Sequence, residues 1–196
     1  MSRLSSLLIV VSGPSGSGKG TLCQMLREDL PELSYSVSLT SRPLRGNEQN
    51  GVEYYFVSKE EFLRLIDAGE FLEWAEVYGN YYGTLRSTVE VSLHEGKDVL
   101  LEVDVQGAQS VKKAFPEAVL IFIMPPSLDE LNKRICGRGT DTPEAIDLRL
   151  RCAPDELQAA KKYDYIIYND VKEDAYAELL NIIEWEKNIR TQHKGE

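Results

Sequence analysis

The chain has 196 residues, a length that fits one domain with an inserted lobe. It carries 22 lysines and arginines against 32 aspartates and glutamates, so its formal net charge is −10. This charge argues against a general nucleic-acid-binding protein, because such proteins normally present a basic surface. Hydrophobic residues make up 42% and charged residues 28% of the chain, as in ordinary globular proteins, which excludes a disordered or low-complexity chain.

The cysteines and the apolar runs bear on the cellular compartment. The three cysteines lie too far apart in sequence to indicate a disulfide framework or a thiolate zinc site. The longest apolar runs, residues 7–11 and 118–124, are much shorter than the roughly 18 residues that a membrane span needs. The first run also leads into a glycine-rich segment rather than a signal-peptide cleavage site. We therefore expect a cytoplasmic protein without a membrane partner.

The first predicted strand, residues 7–11, is followed by the sequence GPSGSGKGT and then by a helical segment. A strand, a glycine loop and a helix N-terminus together present backbone N–H groups to an anion, and Lys19 adds a positive charge for the β- and γ-phosphates of a nucleotide. A glycine-rich turn without a ligand is the alternative, which the strand and helix context disfavours. The candidate ATP-binding residues of this loop are Gly13, Pro14, Ser15, Gly16, Ser17, Gly18, Lys19, Gly20 and Thr21.

The loop departs from the usual phosphate-loop pattern at one position. That pattern has serine or threonine directly after the lysine, whereas this chain has Gly20 there and places the hydroxyl on Thr21. Thr21 is therefore only a tentative magnesium ligand.

Residues 34–84 have a different pattern and predict a small mixed lobe inserted in the α/β core. The alternating sequence SYSVSL is followed by a glycine- and asparagine-containing loop, a strand at residues 53–57, one helix, and a turn at Gly79 and Asn80. A serine with a glutamate three positions later, as in Ser58 and Glu61, is a capping-box spacing that predicts the start of this helix.

Two arginines of the lobe are candidates for holding a second phosphate. Arg42 and Arg45 lie three positions apart beside a predicted strand, with Tyr54 and Tyr82 elsewhere in the lobe. Such side chains can hold a phosphate by bidentate and hydroxyl hydrogen bonds. From the residues alone, two solvated arginines are the favoured interpretation, and the phosphate clamp stays open beside it.

Three further branched, apolar runs predict buried strands at residues 99–103, 119–124 and 165–168. Segments with helical periodicity lie between them, a pattern typical of a parallel sheet covered by helices. The last helix is predicted over residues 174–190, with an apolar stripe that packs on the core. We find no internal repeat.

Asp104 directly follows the predicted strand at residues 99–103. An acidic residue at the carboxyl end of a buried strand beside a phosphate loop commonly orders a magnesium ion through water. Asp104 could also cap the helix that starts near Gln106, and the two roles are compatible. The sequence DVQG matches the D-x-x-G of GTP-binding switches, but no N-K-x-D guanine motif occurs, which argues against a GTPase.

The sequence GRGTDTP, residues 137–143, interrupts the helices and predicts a mobile loop. Arg134 and Arg138 lie at its edges, and Arg149 lies on the following helix. We expect this loop and the lobe to close over bound nucleotides, bringing Arg138 and Arg149 from a distance towards Lys19.

Four longer segments resemble a known family. They are SVSLTSRPLRGNEQNGVEYYFVS, EFLEWAEVYGNYYGT, LLEVDVQGAQSVK and PPSLDELNKRICGRGTDT. Together they strongly resemble the guanylate kinases, from about Leu7 to Asp170. The segments are long and occur in the family's order, so the match is highly specific.

The resemblance implies an α/β fold of the P-loop nucleoside monophosphate kinase type. This is a three-layer fold with a parallel sheet core over residues 1–33 and 85–196, an inserted mixed α/β GMP-binding lobe over residues 34–84, and a short lid near residues 134–149. The implied reaction is ATP + GMP = ADP + GDP in purine nucleotide recycling, with Mg²⁺ bound together with ATP. The sequence leaves the oligomeric state open, a homo-oligomer included.

The resemblance also implies roles for single residues. Ser38, Glu73 and Thr84 would contact guanine, and the GMP phosphate would be held by Arg42, Arg45, Tyr54 and Tyr82. Glu102 and Asp104 are further candidates on the GMP side, and Asp104 is also the second tentative metal ligand. Arg134, Arg138 and Asn169 would contact ATP, and the catalytic charges would be Lys19, Arg42, Arg138 and Arg149.

Elementary chemistry supports the assignment of Glu73 to guanine. Guanine presents two donors side by side, N1–H and the 2-amino group, and one carboxylate accepts from both, whereas adenine presents an acceptor at N1. Hydroxyl groups of Ser38 and Thr84 can donate to O6. The alternative for Glu73 is a surface acid on an amphipathic strand.

Two other functions compete with this interpretation. One is a guanylate-kinase-like module that has lost catalysis and binds a phosphopeptide with the same arginines, although such modules tend to lack an intact phosphate loop. The other is a kinase for a different nucleoside monophosphate.

Overall fold

The computed structural model describes residues 6–137 and 143–192, and its central element is a five-stranded parallel sheet. The strands are β1 (Leu8–Ser12), β2 (Ser34–Tyr35), β7 (Val99–Glu102), β8 (Val119–Met124) and β9 (Tyr165–Tyr168). Their spatial order is β2, β7, β1, β8, β9, and every neighbouring pair is parallel. The four apolar runs predicted as strands therefore form four of the five strands, and most of their branched residues are buried between helices.

Helices cover both faces of the sheet. Outside the lobe they are α1 (Lys19–Asp29), α3 (Arg86–His94), α4 (Val105–Ala114), α5 (Leu128–Cys136), α6 (Pro143–Gln158) and α7 (Lys172–Gln192), with a short 3₁₀ helix at Ala159–Lys162. The predicted last helix is confirmed as α7, and its Tyr176, Leu179 and Ile183 are buried in the core.

Side chains of β1 alternate between the two faces, as a strand requires. Ile9 and Val11 pack with residues of α1 and α7, whereas Leu8 and Val10 pack with residues of α3 and α4. The predicted three-layer fold is confirmed by this arrangement. Within residues 6–137 and 143–192, no helix is long and apolar enough to cross a membrane.

The lobe has a second, mixed sheet. It consists of β3 (Leu39–Thr40), β4 (Tyr55–Phe56), β5 (Phe71–Val77) and β6 (Asn80–Leu85), in the order β4, β3, β6, β5. Its helix α2 (Lys59–Asp67) starts at Ser58, whose hydroxyl accepts a hydrogen bond from the Glu61 N–H, as predicted. Phe62 of α2 stacks on Phe71 and Tyr81, which buries one face of this sheet.

Two local predictions in the lobe are wrong. The strand expected at residues 53–57 is only Tyr55–Phe56, because residues 51–53 form a turn. The hairpin turn lies at Tyr78 and Gly79, one position before the predicted pair, and Asn80 begins β6. Tyr78 and Gly79 have φ values of 52° and 78°, and a type I′ hairpin turn needs positive φ at both of its central residues.

The chain passes between the two sheets near the start of the lobe. Ser34 and Tyr35, which the sequence assigned to the lobe, form β2 and pair with β7 at the edge of the core sheet. Residues 36–38 then lead to β3. The segment SYSVSL is thus divided between both sheets.

The topology gathers the functional loops at one edge of the core sheet. β1 and β7 are neighbours with Val11 paired to Glu102, so the loop after β1 lies beside Asp104. β9 ends at Tyr168, and this brings Asn169 to the same edge. Ligands bind at such carboxyl edges in open α/β sheets.

Candidate active site

The loop between β1 and α1 has the backbone of an anion site. Gly13, Gly16 and Gly18 all have positive φ, and a side chain at Gly13 would collide with the carbonyl oxygen of Ile123. The Lys19 ammonium donates to the carbonyl oxygens of Gly13 (2.8 Å) and Pro14 (3.0 Å). The lysine charge is therefore held inside the loop, next to the N-terminus of α1.

Helix α6 contacts this loop through Arg149. Its Nη1 donates to the Ser15 hydroxyl oxygen at 2.6 Å, and its guanidinium lies 5.1 Å from the ring centre of Tyr78. Arg149 thus joins the phosphate loop to the β5–β6 turn of the lobe. The expectation that Arg149 lies far from the loop is not what the structure has, because α6 brings this side chain directly onto Ser15.

One cleft of about 560 Å³ separates the phosphate loop from the lobe. Most of the predicted site residues line it: Gly13, Ser15, Gly16, Gly18, Lys19, Gly20, Ser38, Arg42, Arg45, Tyr54, Glu73, Tyr82, Glu102, Asp104 and Arg149. The predicted residues Pro14, Ser17, Thr21, Thr84, Arg134 and Asn169 are not among its lining residues. Arg138 lies outside the described residues.

Arg42 is buried rather than solvated. Only 6% of its surface is exposed, and its two terminal nitrogens donate to the two carboxylate oxygens of Glu48 at 2.6 Å each. Its guanidinium also lies 4.9 Å from the ring centre of Tyr54. A fork-to-fork pair of this kind fixes the plane of the guanidinium. The interpretation of Arg42 as a solvated arginine is therefore wrong.

Glu48 was missed by the sequence analysis. Its carboxylate also accepts from the Arg45 N–H at 2.8 Å, so it connects both arginines of the predicted phosphate clamp. The hydrogen bonds from Arg42 hold the pKa of Glu48 below its usual range. The sequence did contain a signal, because Glu48 follows Arg45 by three positions and Arg42 by six positions in one loop.

Glu73 is buried beside the first turn of α4. It is 5% exposed, and burial, with a smaller contribution from the negative charge of Asp104, raises its pKa to about 7. The Thr84 hydroxyl donates to Oε1 of Glu73 at 2.7 Å. The surface-acid interpretation of Glu73 is wrong. In this arrangement the Thr84 proton is also not available to guanine O6, so Thr84 orients Glu73 instead.

Asp104 is both a helix cap and a cleft residue. Its Oδ1 accepts from the Gly107 N–H at 2.7 Å, which confirms the predicted cap of α4. Burial raises its pKa, and the nearby Lys19 charge opposes this effect. Asp104 therefore lies beside the phosphate loop. One of its two carboxylate oxygens is already occupied by the hydrogen bond that caps α4.

The donor set fits a magnesium ion that is shared with a nucleotide. Across residues 6–137 and 143–192, no cluster of three or more His, Cys, Asp or Glu residues could hold a metal by itself. Mg²⁺ is usually bound through one or two carboxylates plus substrate phosphates and water. Asp104 meets that requirement, whereas Thr21 is exposed on the first turn of α1.

Two residues predicted to contact ATP also join parts of the protein. The Asn169 side-chain amide nitrogen donates to the Ser17 carbonyl at 2.7 Å, and the backbone carbonyl oxygen of Asn169 accepts from Arg134 Nη1 at 3.1 Å. A side chain at Gly18 would collide with the Asn169 amide. Asn169 thus fixes the phosphate loop to the end of β9.

Glu156 of α6 is a second cleft residue that the sequence analysis missed. Burial raises its pKa, and the positive charges of Lys19 and Arg149 oppose this effect. Its Oε2 is buried without a hydrogen-bond partner among the described residues. In the sequence it is one acid among many on a helix, so only the packing of α6 on the loop identifies it.

Comparisons with known proteins agree on one family. The family model described as guanylate kinase matches residues 5–186. A guanylate kinase of Symbiobacterium thermophilum is 53% identical over 189 residues, covering 96% of this chain and 89% of the relative. One of Clostridioides difficile is 47% identical over 189 residues, covering 96% and 92%. The crystal structure of guanylate kinase from Anaplasma phagocytophilum has a TM-score of 0.77 at 35% identity, covering 94% of this chain and 88% of that one.

Proposed function

Because the chain belongs to the guanylate kinase family and transfers a phosphoryl group from ATP to GMP, we propose that the cleft between the phosphate loop and the lobe is its active site. ATP binds with its phosphates on the loop, and GMP binds against the lobe. One observation supports this proposal most directly: Lys19, Arg42 and Glu73 line the same cleft. The alternatives of a non-catalytic binding module and of a kinase for another monophosphate find no support.

The chemistry requires positioning and positive charge. An oxygen of the GMP phosphate attacks the γ-phosphorus of ATP, the bond to the β,γ-bridging oxygen breaks, and ADP leaves. The attacking oxygen is already ionised at neutral pH, so no general base is required. Lys19 and Arg149 hold charge at the loop, where the transition state spreads negative charge over the transferred oxygens. Arg138 is proposed as a further cation.

Magnesium bound with ATP would supply additional charge neutralisation, with Asp104 as the carboxylate that holds it through water. Glu102 lies against the start of α1, where an ideal Cβ on Gly20 would be 3.5 Å from its carboxylate. The acidic side of the cleft therefore adjoins the loop that binds the phosphates.

GMP binding is assigned to the lobe. Arg42 and Arg45 hold the phosphate, with the hydroxyl groups of Tyr54 and Tyr82 as further donors. Glu73 accepts from N1–H and the 2-amino group of guanine, and Ser38 donates to O6.

The assignment of Glu73 is tested with Glu73→Gln. The change replaces one acceptor oxygen by a donor that faces a guanine donor, and an opposed hydrogen bond to a buried group costs about 1–3 kcal/mol. We expect the KM for GMP to rise about 10- to 100-fold, while the KM for ATP stays within about twofold. Steady-state kinetics with a coupled ADP assay measures both constants.

Glu76→Gln is the matched control, because Glu76 is an exposed acid on the same strand. The control should keep wild-type constants for both substrates. Unchanged GMP kinetics in Glu73→Gln would remove Glu73 from the site.

A further inference from the structure

The first turn of α4 contacts the Glu73 carboxylate without any side chain between them. Gly107 is the third residue of α4, and its N–H donates to Oδ1 of the capping Asp104. An ideal Cβ on Gly107 would lie 2.5 Å from Oε2 of Glu73 and 3.1 Å from its Cδ. Both separations are shorter than the van der Waals contacts of about 3.5–4.0 Å that packed atoms make. The carboxylate therefore occupies the space that any other residue at position 107 would fill.

The atoms in the way belong to side chains. The three nearest atoms to that Cβ are Oε2 and Cδ of Glu73 and Oδ1 of Asp104, the last at 3.1 Å. At Gly13, by contrast, the obstructing atom is the backbone carbonyl of Ile123. Gly107 also lies in a helix, where alanine is intrinsically more favourable than glycine. The fold can therefore accept a methyl group at position 107, whereas the Glu73 carboxylate must move.

Glu73 has little freedom to move without losing its orientation. Its Oε1 is held by the Thr84 hydroxyl at 2.7 Å, and the side chain is buried. Displacement of Oε2 away from α4 rotates or shifts the whole planar carboxylate. A carboxylate that accepts from two neighbouring donors needs both oxygens in place at once.

We infer that Gly107 is a positioning residue for base recognition, because its missing side chain lets the Glu73 carboxylate lie against α4 where it accepts from both guanine donors. The inference rests on the proposed role of Glu73. Gly107 itself contacts neither substrate and acts only through the position of this carboxylate.

Gly107→Ala tests the inference. We expect the KM for GMP to rise about tenfold or more, with kcat and the KM for ATP within about twofold of wild type. The preference for GMP over inosine monophosphate, which keeps N1–H but lacks the 2-amino group, should fall about tenfold, since the displaced carboxylate no longer accepts from both donors. Ser110→Ala, an exposed position of the same helix, is the matched control and should leave all constants unchanged.

Stability provides the readout that separates positioning from folding. The melting temperature of Gly107→Ala without nucleotide should equal or exceed that of wild type, because only side-chain atoms have to move. A melting temperature several degrees lower, or failure to fold, would show that glycine is needed for the helix itself and would overturn the inference. A defect confined to kcat or to magnesium dependence would point to Asp104 and would also overturn it.

A double-mutant cycle separates this inference from the role of Glu73. Gly107→Ala should add less than twofold to the KM for GMP when Glu73→Gln is already present, because both changes act through the same carboxylate. If Glu73→Gln raises this KM and Gly107→Ala does not, the inference fails while the role of Glu73 stands. If Glu73→Gln has no effect on this KM, the proposed role of Glu73 is wrong, and the inference that rests on it is wrong as well.

Discussion

At the level of single residues, Glu73 is costly for the stability of the fold. Its pKa is raised to about 7, mainly because burial disfavours the ionised carboxylate. Between its ordinary pKa near 4.5 and about 7, the folded protein therefore binds a proton that the unfolded chain releases. The free energy of unfolding consequently decreases as the pH rises through this range. Above about pH 7 the folded protein holds a buried negative charge.

Glu73→Gln should therefore be more stable than wild type at pH 8, by up to about 3 kcal/mol, since a pKa unit corresponds to about 1.4 kcal/mol. The difference should shrink as the pH falls and vanish near pH 4. Urea denaturation at pH 4, 6 and 8 measures it, with Glu76→Gln as the control that should show no such trend. A difference that is constant with pH would contradict the assignment of this titration to Glu73.

At the level of elements, the loop between β3 and β4 is organised by Glu48. This carboxylate pairs with the buried Arg42 and accepts from the Arg45 N–H. Because Arg42 lowers the pKa of Glu48, the stabilisation by this pair is present at neutral pH and is lost as the pH falls through and below the ordinary range of a carboxyl group.

Glu48→Gln removes the countercharge of Arg42 and should destabilise the protein by about 1–3 kcal/mol at pH 7. The GMP phosphate supplies a new countercharge, so GMP should raise the melting temperature of this variant more than that of wild type. Thermal unfolding with and without GMP measures both effects. Equal shifts in the two proteins would show that the phosphate does not reach Arg42. Glu53→Gln is the control, because Glu53 is an exposed acid in the same loop that accepts from the Gln49 N–H rather than from Arg42.

The same elements show what sequence alone can predict. The core strands were predicted closely, because a buried parallel strand is a continuous apolar run that packing hardly alters. The division of SYSVSL between β2 and β3 was not predicted. Two-residue strands depend on their partners, here β7 and β6, rather than on the local sequence pattern.

Site residues divide in a similar way. Lys19 was predicted from a local motif, the phosphate loop, whereas the roles of Arg42 and Glu73 were predicted from the resemblance to the guanylate kinases. Glu156 could not be predicted from the sequence, because it reaches the cleft only through the packing of α6 on a loop about 140 residues earlier in the chain.

At the level of the whole molecule, the lobe is not one freely moving unit. Leu72 of β5 is buried in the core cluster that contains Ala108 of α4, and Glu73 lies against Gly107. Strand β5 is therefore attached to the core. Phe62 of α2 instead belongs to a separate cluster with Leu39 and Phe71, so we expect substrate-induced closure to be concentrated in residues 41–67.

Hydrogen exchange with and without a bisubstrate analogue, two nucleosides joined by a phosphate chain, tests this prediction. Amides of residues 41–67 should gain protection, and those of β5 should change little because α4 already holds that strand. Amides of α7 serve as the internal control. Equal gains in β5 and in residues 41–67 would mean that the whole lobe closes as one body, as the sequence analysis assumed.

The attachment of β5 to α4 also bears on the order of events in turnover. Because Glu73, the residue proposed to recognise the base, lies against α4 of the core that also carries the phosphate loop, we expect an incoming nucleotide to meet it before residues 41–67 close. We expect a monophosphate with the wrong base to dissociate from this open encounter complex, before ATP is committed to transfer. Discrimination at this stage would limit the futile loss of ATP to water when the cell contains an excess of other monophosphates.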